Sequence, residues 1–467
     1  MKRHLIAAFL LAAPAFAARA TAAEPGETVP VGTAVVDVTP SYPIRLMGYG
    51  NRKTESEGVA SPLKVRALAI GADAADEKAE GPAVLIAVDN CHVGSFMTDE
   101  IIRRLKKAKI RPERLVTCAT HTHCAPALAS GIDFIFGTPI PPDQKARIER
   151  YTRELIDAME KAALQALSAR APGRLSWDQG TVTFAANRRV LKEGKWAGFG
   201  VNPNGPVDHS LPVLRVTDPD GKVRAVLVNY ACHCTTLGGE FNKICAEWAG
   251  YACDELERSF PGATALVVIG CGADANPEPR RNLDDARRHA AALAAEARRL
   301  LGSAMKPLPG RLSAKFQQIE LPLAPRPDRP ELERRARLAG AEGLFARSLL
   351  ERLDRGETLP STVPYPVQTW CFGDDLAMVF LGGEVVVDYA LRLKWEIDAS
   401  RLWVTAYSND VPCYIPSKRV LDEGGYEADH SMVFYGRPAR FAPEAEDRII
   451  RAVHDLLPPA FDGPRKP

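Results

Sequence analysis

Short apolar runs of strand length recur along this chain, and amphipathic helical segments fall between them. Val65 to Ile70, Ala83 to Val88, Leu115 to Ala119, 211–217, 223–231 and 264–270 are such runs, and 367–373, 376–382 and 402–407 follow toward the C-terminus. Continuous apolar runs of this length suit strands buried on both faces. Between them, Asp143 to Leu167 places Ile148, Tyr151, Leu155, Ala158, Ala162 and Leu167 at the spacing of a helix with one buried face. Helices are also predicted over 98–107, with Thr98 as N-cap, over 246–259, 283–301 and 385–397, and in the charged stretch that runs to about Arg355. This alternation predicts a mixed α/β fold, layered sheets flanked by helices.

Length alone gives 467 residues room for about three domains. Neither an internal repeat nor a low-complexity linker divides the chain, and the residues suited to chemistry come from both its ends. One large catalytic domain over residues 24–467 is therefore expected. Residues 1–23 are set apart. Met1 to His4 is positively charged, Leu5 to Ala17 is apolar, and Ala20-Thr21-Ala22 and Thr21-Ala22-Ala23 offer small-residue cleavage sites. That order is the signature of a secretory signal peptide, which predicts export to the periplasm or beyond. No second apolar stretch reaches the length of a membrane-spanning helix, so no transmembrane segment is expected, and transient membrane contact is left open.

Removing Lys2, Arg3 and Arg19 takes the 60 basic residues to 57 against 58 acidic. A chain so balanced lacks the basic excess of a nucleic-acid binder. Ten cysteines invite a disulfide framework in an exported protein. Their spacing is not that of a small disulfide scaffold, and many stand in apolar runs, as in Val116-Thr117-Cys118-Ala119. Small buried hydrophobes are the better reading. No pairing follows from sequence, and the oligomeric state is left open.

Polar residues with chemical potential stand where the strands end. Thr120-His121-Thr122-His123-Cys124-Ala125-Pro126 follows one strand, and its two histidines can reach one site only if the chain bends there. Tyr230-Ala231-Cys232-His233-Cys234-Thr235-Thr236 follows another. On an extended strand Cys232 and Cys234 would point away from His233. Cys245-Ala246-Glu247-Trp248-Ala249-Gly250-Tyr251-Ala252-Cys253 opens a helix. Gly270-Cys271-Gly272-Ala273-Asp274-Ala275-Asn276-Pro277 is a tight turn without the lysine of a phosphate-binding loop. Gly382-Gly383-Glu384 supplies a carboxylate at a further strand end, and Asn409 to Pro416 leads to Gly424-Gly425-Tyr426-Glu427. Functional groups collect at strand ends in layered α/β folds.

Taken in order, these motifs resemble the catalytic domain of the neutral/alkaline, non-lysosomal ceramidase family. The resemblance rests on Gly32-Thr33-Ala34 with Asp37-Val38-Thr39-Pro40, Met47-Gly48-Tyr49-Gly50, the T-H-T-H-x-x-P of 120–126, and Asn187-Arg188. It continues through His233-Cys234-Thr235-Thr236, the G-Y-A of 250–252, the G-x-D-x-N-P of 272–277, Gly383-Glu384, Tyr414 and Gly425-Tyr426-Glu427. It implies one zinc ion per chain held by His121, His233, Glu384 and Tyr414. It implies substrate-binding and transition-state groups at His123, Arg188 and Tyr426. The activity implied is hydrolysis of the N-acyl amide of a ceramide-like or related N-acyl lipid by metal-activated water. The alternatives are a hydrolase of the same fold acting on an ester, lactone or sugar-linked amide, and a binding protein that keeps the fold without catalysis.

Three features differ from the usual family pattern. Cys253 stands where the family has Ser, and a thiol packed in a helix is the expected role. Arg189-Val190, with Lys192 and Lys195 nearby, replaces the family's sequence after Asn-Arg. A segment corresponding to the family's C-terminal immunoglobulin-like domain is not expected, and this leaves the substrate open.

Overall fold

The structure, a computed structural model, describes residues 27–75, 80–129 and 134–463. The expected signal peptide lies outside them. The fold begins with β1 (Val29–Asp37), β2 (Lys64–Ile70), β3 (Ala83–Val88), α1 (Ser95–Leu105), β4 (Leu115–Ala119), α2 (Pro142–Ser168) and β5 (Ala171–Thr181). Three short strands, β6 (Ala185–Asn187), β7 (Arg189–Lys192) and β8 (Lys195–Phe199), lead to β9 (Ser210–Thr217), β10 (Val223–Tyr230), α3 (Glu247–Ser259) and β11 (Thr264–Ile269). Then come β12 (Ala275–Pro277), α4 (Leu283–Leu301), β13 (Lys306–Pro307), β14 (Leu312–Pro322), α5 (Arg329–Ala336) and α6 (Gly340–Asp354). The last elements are β15 (Thr362–Phe372), β16 (Leu376–Leu381), β17 (Glu384–Val385), α7 (Val387–Glu396), β18 (Leu402–Thr405), β19 (Tyr414–Ile415), α8 (Lys418–Glu423) and α9 (Glu444–Leu456).

The strand order β11-β10-β9-β5-β1-β2-β3-β4 forms one large sheet, and β14-β15-β16-β18 forms a smaller one. The apolar runs are continuous because both faces of their strands are covered. In β3, Val84, Ile86 and Val88 join one core, while Ala83, Leu85 and Ala87 join the other. In β16, Ala377, Val379 and Leu381 alternate in the same way with Met378 and Phe380. The second core lies between the sheets, where Leu85, Leu266 and Val268 share a cluster with Trp370, Phe380 and Trp403. Each buried Leu or Phe there contributes about 1.5–3 kcal/mol relative to exposure. Helices α2, α3 and α4 cover the outer face of the large sheet, and α9 covers β14 and β15. The order of layers is helix, sheet, sheet, helix, so the expected mixed α/β fold of layered sheets flanked by helices is what forms.

Local boundaries differ from the sequence reading for identifiable reasons. Helix α1 starts three residues before Thr98, with extended Gly94 at its N-cap. The Thr98 hydroxyl is used in tertiary contact instead, donating to the Asn409 carbonyl at 2.8 Å. The charged stretch up to Arg355 is two helices, because Leu332 of α5 and Phe345 and Leu349 of α6 must fold back to share one apolar cluster. Strand β5 ends at Thr181, and Ala185 starts a separate strand paired with β12. No helix among the described residues is long and apolar enough to cross a membrane.

Four strand pairs run parallel, β3 with β4, β10 with β11, β16 with β18 and the two-residue strands β17 with β19. The edge strands β4 and β11 also lie against each other, and beyond their ends Thr122 bridges to Cys234. The loops after β4, β10, β11, β16 and β18 therefore meet in one place.

Candidate metal centre and active site

His121 adopts a left-handed backbone conformation, φ +56°. This is the bend that two histidines of an H-x-H sequence need in order to face one site. Such backbone strain persists only where surrounding contacts fix it. Here the flanking Thr122 hydroxyl donates to the Cys245 carbonyl at 2.7 Å and the Thr120 amide donates to the Val88 carbonyl at 2.9 Å. His233 lies beyond the end of β10 and is fully buried. The Trp248 indole donates to its carbonyl at 2.9 Å. The motif that opens α3 thus braces both histidine loops. Glu247 in that motif is left-handed at φ +59° and buried, and its carboxylate accepts the amides of Leu237 and Trp248 at 2.8 Å each.

Glu384 and Tyr414 sit side by side because the two-residue strands β17 and β19 pair in register, Glu384 against Tyr414. Gly383 makes this approach possible. Its φ is +78°, and a Cβ there would lie 2.6 Å from Ile415 and 2.8 Å from the Cys413 carbonyl oxygen.

His121 Nε2 lies 3.1 Å and His233 Nε2 lies 3.2 Å from the same Glu384 oxygen, Oε2. Tyr414 Oη is 3.3 Å from His233 Nε2. Both imidazoles have their other nitrogen committed. Nδ1 of His121 donates to the Cys91 carbonyl at 2.6 Å, and Nδ1 of His233 donates to the Gly272 carbonyl at 2.9 Å. A carbonyl can only accept, so each neutral ring presents a lone pair at Nε2. Glu384 Oε2 also has no hydrogen-bond partner. Three lone-pair bearers thus converge in a buried pocket, and a phenol stands beside them. This is a donor set that a cation satisfies. Two imidazoles, a carboxylate and a phenolic oxygen suit zinc, and the carbonyls behind the rings orient them as second partners of a metal site do. Cys91 Sγ approaches His121 at Nδ1, 3.8 Å away, the nitrogen already given to the Cys91 carbonyl, so the thiol adds no ligand beside the Nε2 atoms.

Electrostatics in the metal-free pocket agree. Burial disfavours a charged His121, but the Glu384 carboxylate outweighs that and pushes its pKa up to about 10. Burial and then Arg188 hold His233 down at about 4. A proton on His121 therefore takes up the role that a cation fills. Tyr435 donates a short hydrogen bond to the other Glu384 oxygen, Oε1. Tyr435→Phe removes that orienting contact and is expected to weaken the affinity of this donor set for added zinc about 10–100-fold, measured by competition with a chromogenic chelator. An unchanged affinity would show that Glu384 needs no second partner.

A cavity of about 370 Å³ opens beside this cluster. His123, Arg188, Tyr414 and Tyr426 border it, and Ile135, Phe199 and Phe434 give it an apolar side. His123 Nε2 is 3.1 Å from His121 Nε2. Burial, and then the positive charge on His121, keep His123 well below its usual pKa, hence neutral. Arg188 reaches Tyr414 Oη at 3.1 Å and His233 Nε2 at 3.2 Å, and its Nε donates to Glu427 at 2.8 Å. The Tyr426 ring stands 5.3 Å from that of Tyr414. All seven residues expected from the sequence thus meet at one place.

Gly48 forms the cradle of His123. Its φ is +97°, and a Cβ would fall 2.5 Å from the imidazole ring. Gly48→Ala is expected to push His123 aside, lowering the rate of amide hydrolysis at least about tenfold with metal content unchanged, as read by steady-state kinetics and metal analysis. Retention of full kcat would remove His123 from the chemistry.

Several residues of the site were not singled out from the sequence. Tyr435 gave no signal, because a lone Tyr in a turn is unremarkable. Arg280, Phe199 and Phe434 become cavity walls only through the fold. Cys232 and Cys234 lie beyond the end of β10, where the chain is no longer an extended strand, and both are core residues. All ten cysteines are free and buried, and burial pushes the Cys253 thiol up to about 12, which fits packing rather than nucleophilic use. Lys192 is exposed, and Lys195 donates to the Asp422 carbonyl at 2.7 Å. Arg189 is the inward member of this stretch, paired with Glu423 and Glu427.

The fold is shared with solved ceramidases. The neutral ceramidase from Pseudomonas aeruginosa superposes with a TM-score of 0.69 at 17% identity, covering 92% of this chain and 74% of that one. A ceramidase complexed with C2 gives 0.69 at 16% identity, covering 94% and 77%. No curated relative matches the sequence. At family level, however, the sequence model of neutral/alkaline non-lysosomal ceramidase, N-terminal, matches residues 30–286, more than half of the chain. Together with the ordered motifs from Gly32 to Glu427, this match means that the chain belongs to the neutral/alkaline non-lysosomal ceramidase family.

Proposed function

We propose that this protein is an exported, zinc-dependent amidohydrolase that cleaves the N-acyl amide of a ceramide-like or related N-acyl lipid. The observation that carries the reading is the convergence on one buried Glu384 oxygen of two imidazole Nε2 atoms, each with its Nδ1 given to a backbone carbonyl, at the edge of a cavity with an apolar side. His121, His233, Glu384 and Tyr414 would hold one zinc ion per chain. Bound there, zinc supplies Lewis acidity to the amide carbonyl and lowers the pKa of a bound water to about 7.

The chain's own residues then have distinct tasks. Arg188 remains charged, since burial opposes its charge but Tyr414 and Glu427 more than offset this. Burial holds the Tyr426 phenol above its usual value, so it keeps its proton. Both donate toward the carbonyl oxygen as negative charge builds on it, a contribution of about 3–4 kcal/mol for a well-placed donor. Neutral His123 accepts a proton from water at Nε2, the nitrogen facing the ligand cluster, and passes it to the leaving amine. The apolar walls hold the acyl chain and limit access of bulk water. The signal-peptide character of residues 1–23 supports export.

The test combines metal analysis of purified protein with a panel of fluorogenic N-acyl amides, esters and lactones. The expected result is one zinc per chain, amide hydrolysis abolished by chelation, and its return on adding zinc. Full activity of the metal-free protein would overturn the reading. Hydrolysis confined to esters or lactones would move the substrate class and keep the metal centre.

A further inference from the structure

The cavity carries a positive charge for which a neutral amide has no use. Arg280 forms part of its wall beside Tyr49 and Asn276. It is half-buried, and its Nη2 donates to Tyr49 Oη at 3.3 Å, while the Tyr49 hydroxyl donates onward to the Leu237 carbonyl. Among the described residues no carboxylate pairs with it. Its neighbours in sequence are matched, since Arg281 and Arg288 share Asp285. The cavity's other arginine, Arg188, is matched by Glu427. Among the described residues no Asp or Glu lines the cavity. A divalent cation at the ligand cluster, which includes a single carboxylate, would make this region more positive still. A guanidinium with free donors, partly shielded from water, is a receptor for a carboxylate or phosphate, which it binds through two parallel hydrogen bonds.

We propose that the substrate is an N-acyl amide bearing an anionic group, carboxylate or phosphate, near the scissile bond, and that Arg280 is the residue that selects it. This rests on the amidohydrolase reading above and narrows it. The apolar side of the cavity, Ile135, Phe199 and Phe434, takes the acyl chain, and the anion lies toward Arg280. Water adds across the C–N bond, its hydroxyl going to the acyl carbon and its proton to nitrogen, and the anion itself is unchanged. A neutral ceramide offers only hydroxyls to Arg280.

The experiment uses the zinc-loaded protein and four lauroyl amides: N-lauroylglycine, N-lauroyl-phosphoethanolamine, N-lauroylethanolamine and N-lauroylsphingosine. The expected result is a kcat/KM for at least one anionic amide about tenfold or more above the neutral ethanolamide. The glycine and phosphoethanolamine arms tell carboxylate from phosphate. In Arg280→Gln the ratio of anionic to neutral falls toward one, and Arg280→Lys restores part of it. Equal rates for anionic and neutral amides, or a ratio that Arg280→Gln leaves unmoved, would overturn the inference. Calorimetric binding of N-lauroylglycine and N-lauroylethanolamine to the metal-free protein separates this inference from the reading beneath it. If no amide is cleaved, the amidohydrolase reading fails. Tighter binding of the acid that is lost in Arg280→Gln still supports the anion site, and equal binding overturns it.

Discussion

Replacing His121 or His233 with Ala is expected to remove the metal and the hydrolysis together. Each ring offers its Nε2 lone pair to the point occupied by Glu384 Oε2, and each is fixed by a carbonyl behind it, at Cys91 and Gly272. Losing one imidazole leaves one nitrogen and two oxygen donors, a weaker set for a borderline-soft ion that imidazole suits well. Zinc content should fall from one per chain to less than about a tenth, and kcat/KM by more than about a thousandfold, since metal Lewis acidity supplies several kcal/mol to the transition state. Plasma emission analysis of dialysed protein and amide kinetics on the same sample give both readings. A variant that loses zinc and keeps its rate would take the metal out of the reaction, and one that keeps zinc and loses its rate would reassign the histidine. Circular dichroism controls for folding, because both rings are buried.

Much of this centre could be read from residue order, and the reason is physical. Apolar runs such as Ala83 to Val88 are continuous because helices and a second sheet cover both faces, so the layered α/β fold was visible in them. The loops that follow such strands must carry the polar groups, and there stood the Thr-His-Thr-His sequence, His233 and Gly383-Glu384. What could not be read was convergence. Glu384 and Tyr414 become neighbours only through the pairing of two-residue strands, too short to leave a periodic signal. The bend that turns His121 toward His233 is a left-handed backbone held by tertiary hydrogen bonds, not by local propensity. Tyr414 as a ligand candidate came from family resemblance alone, because nothing in its local sequence distinguishes it from a packed tyrosine. Thr98 shows the reverse error. Its sequence position suggested a helix cap, whereas its hydroxyl ties α1 to the Asn409 loop.

Glu427→Ala is expected to give the largest loss of stability of any single change near the site. Its carboxylate is fully buried and holds two arginines, Arg188 at 2.8 Å and Arg189 through a short contact. Both guanidiniums are buried as well, and among the described residues only Arg189 has a further carboxylate, Glu423 at 3.0 Å. Removing one partner of such a cluster leaves charge buried without compensation, which costs about 3–5 kcal/mol. Urea unfolding should show this as a lower midpoint with the slope unchanged. Glu427→Gln keeps the shape and one acceptor, so the loss should be smaller. Arg188 then loses its charged anchor, and kcat should fall while zinc remains bound. Burial alone would raise the pKa of Glu427, but Arg188 and Arg189 outweigh it and hold the carboxyl below its usual value. Folding is therefore favoured by this carboxylate at pH values above the unfolded pKa of about 4.3, and the advantage is lost as the pH falls through the depressed folded value. The stability gap between the wild type and Glu427→Gln should accordingly be widest near neutrality and close as the solution is acidified below about pH 5. A gap that widens on acidification, or a Glu427→Ala protein as stable and active as the parent, would mean that the arginines are held by the surrounding carbonyls and not by this carboxylate.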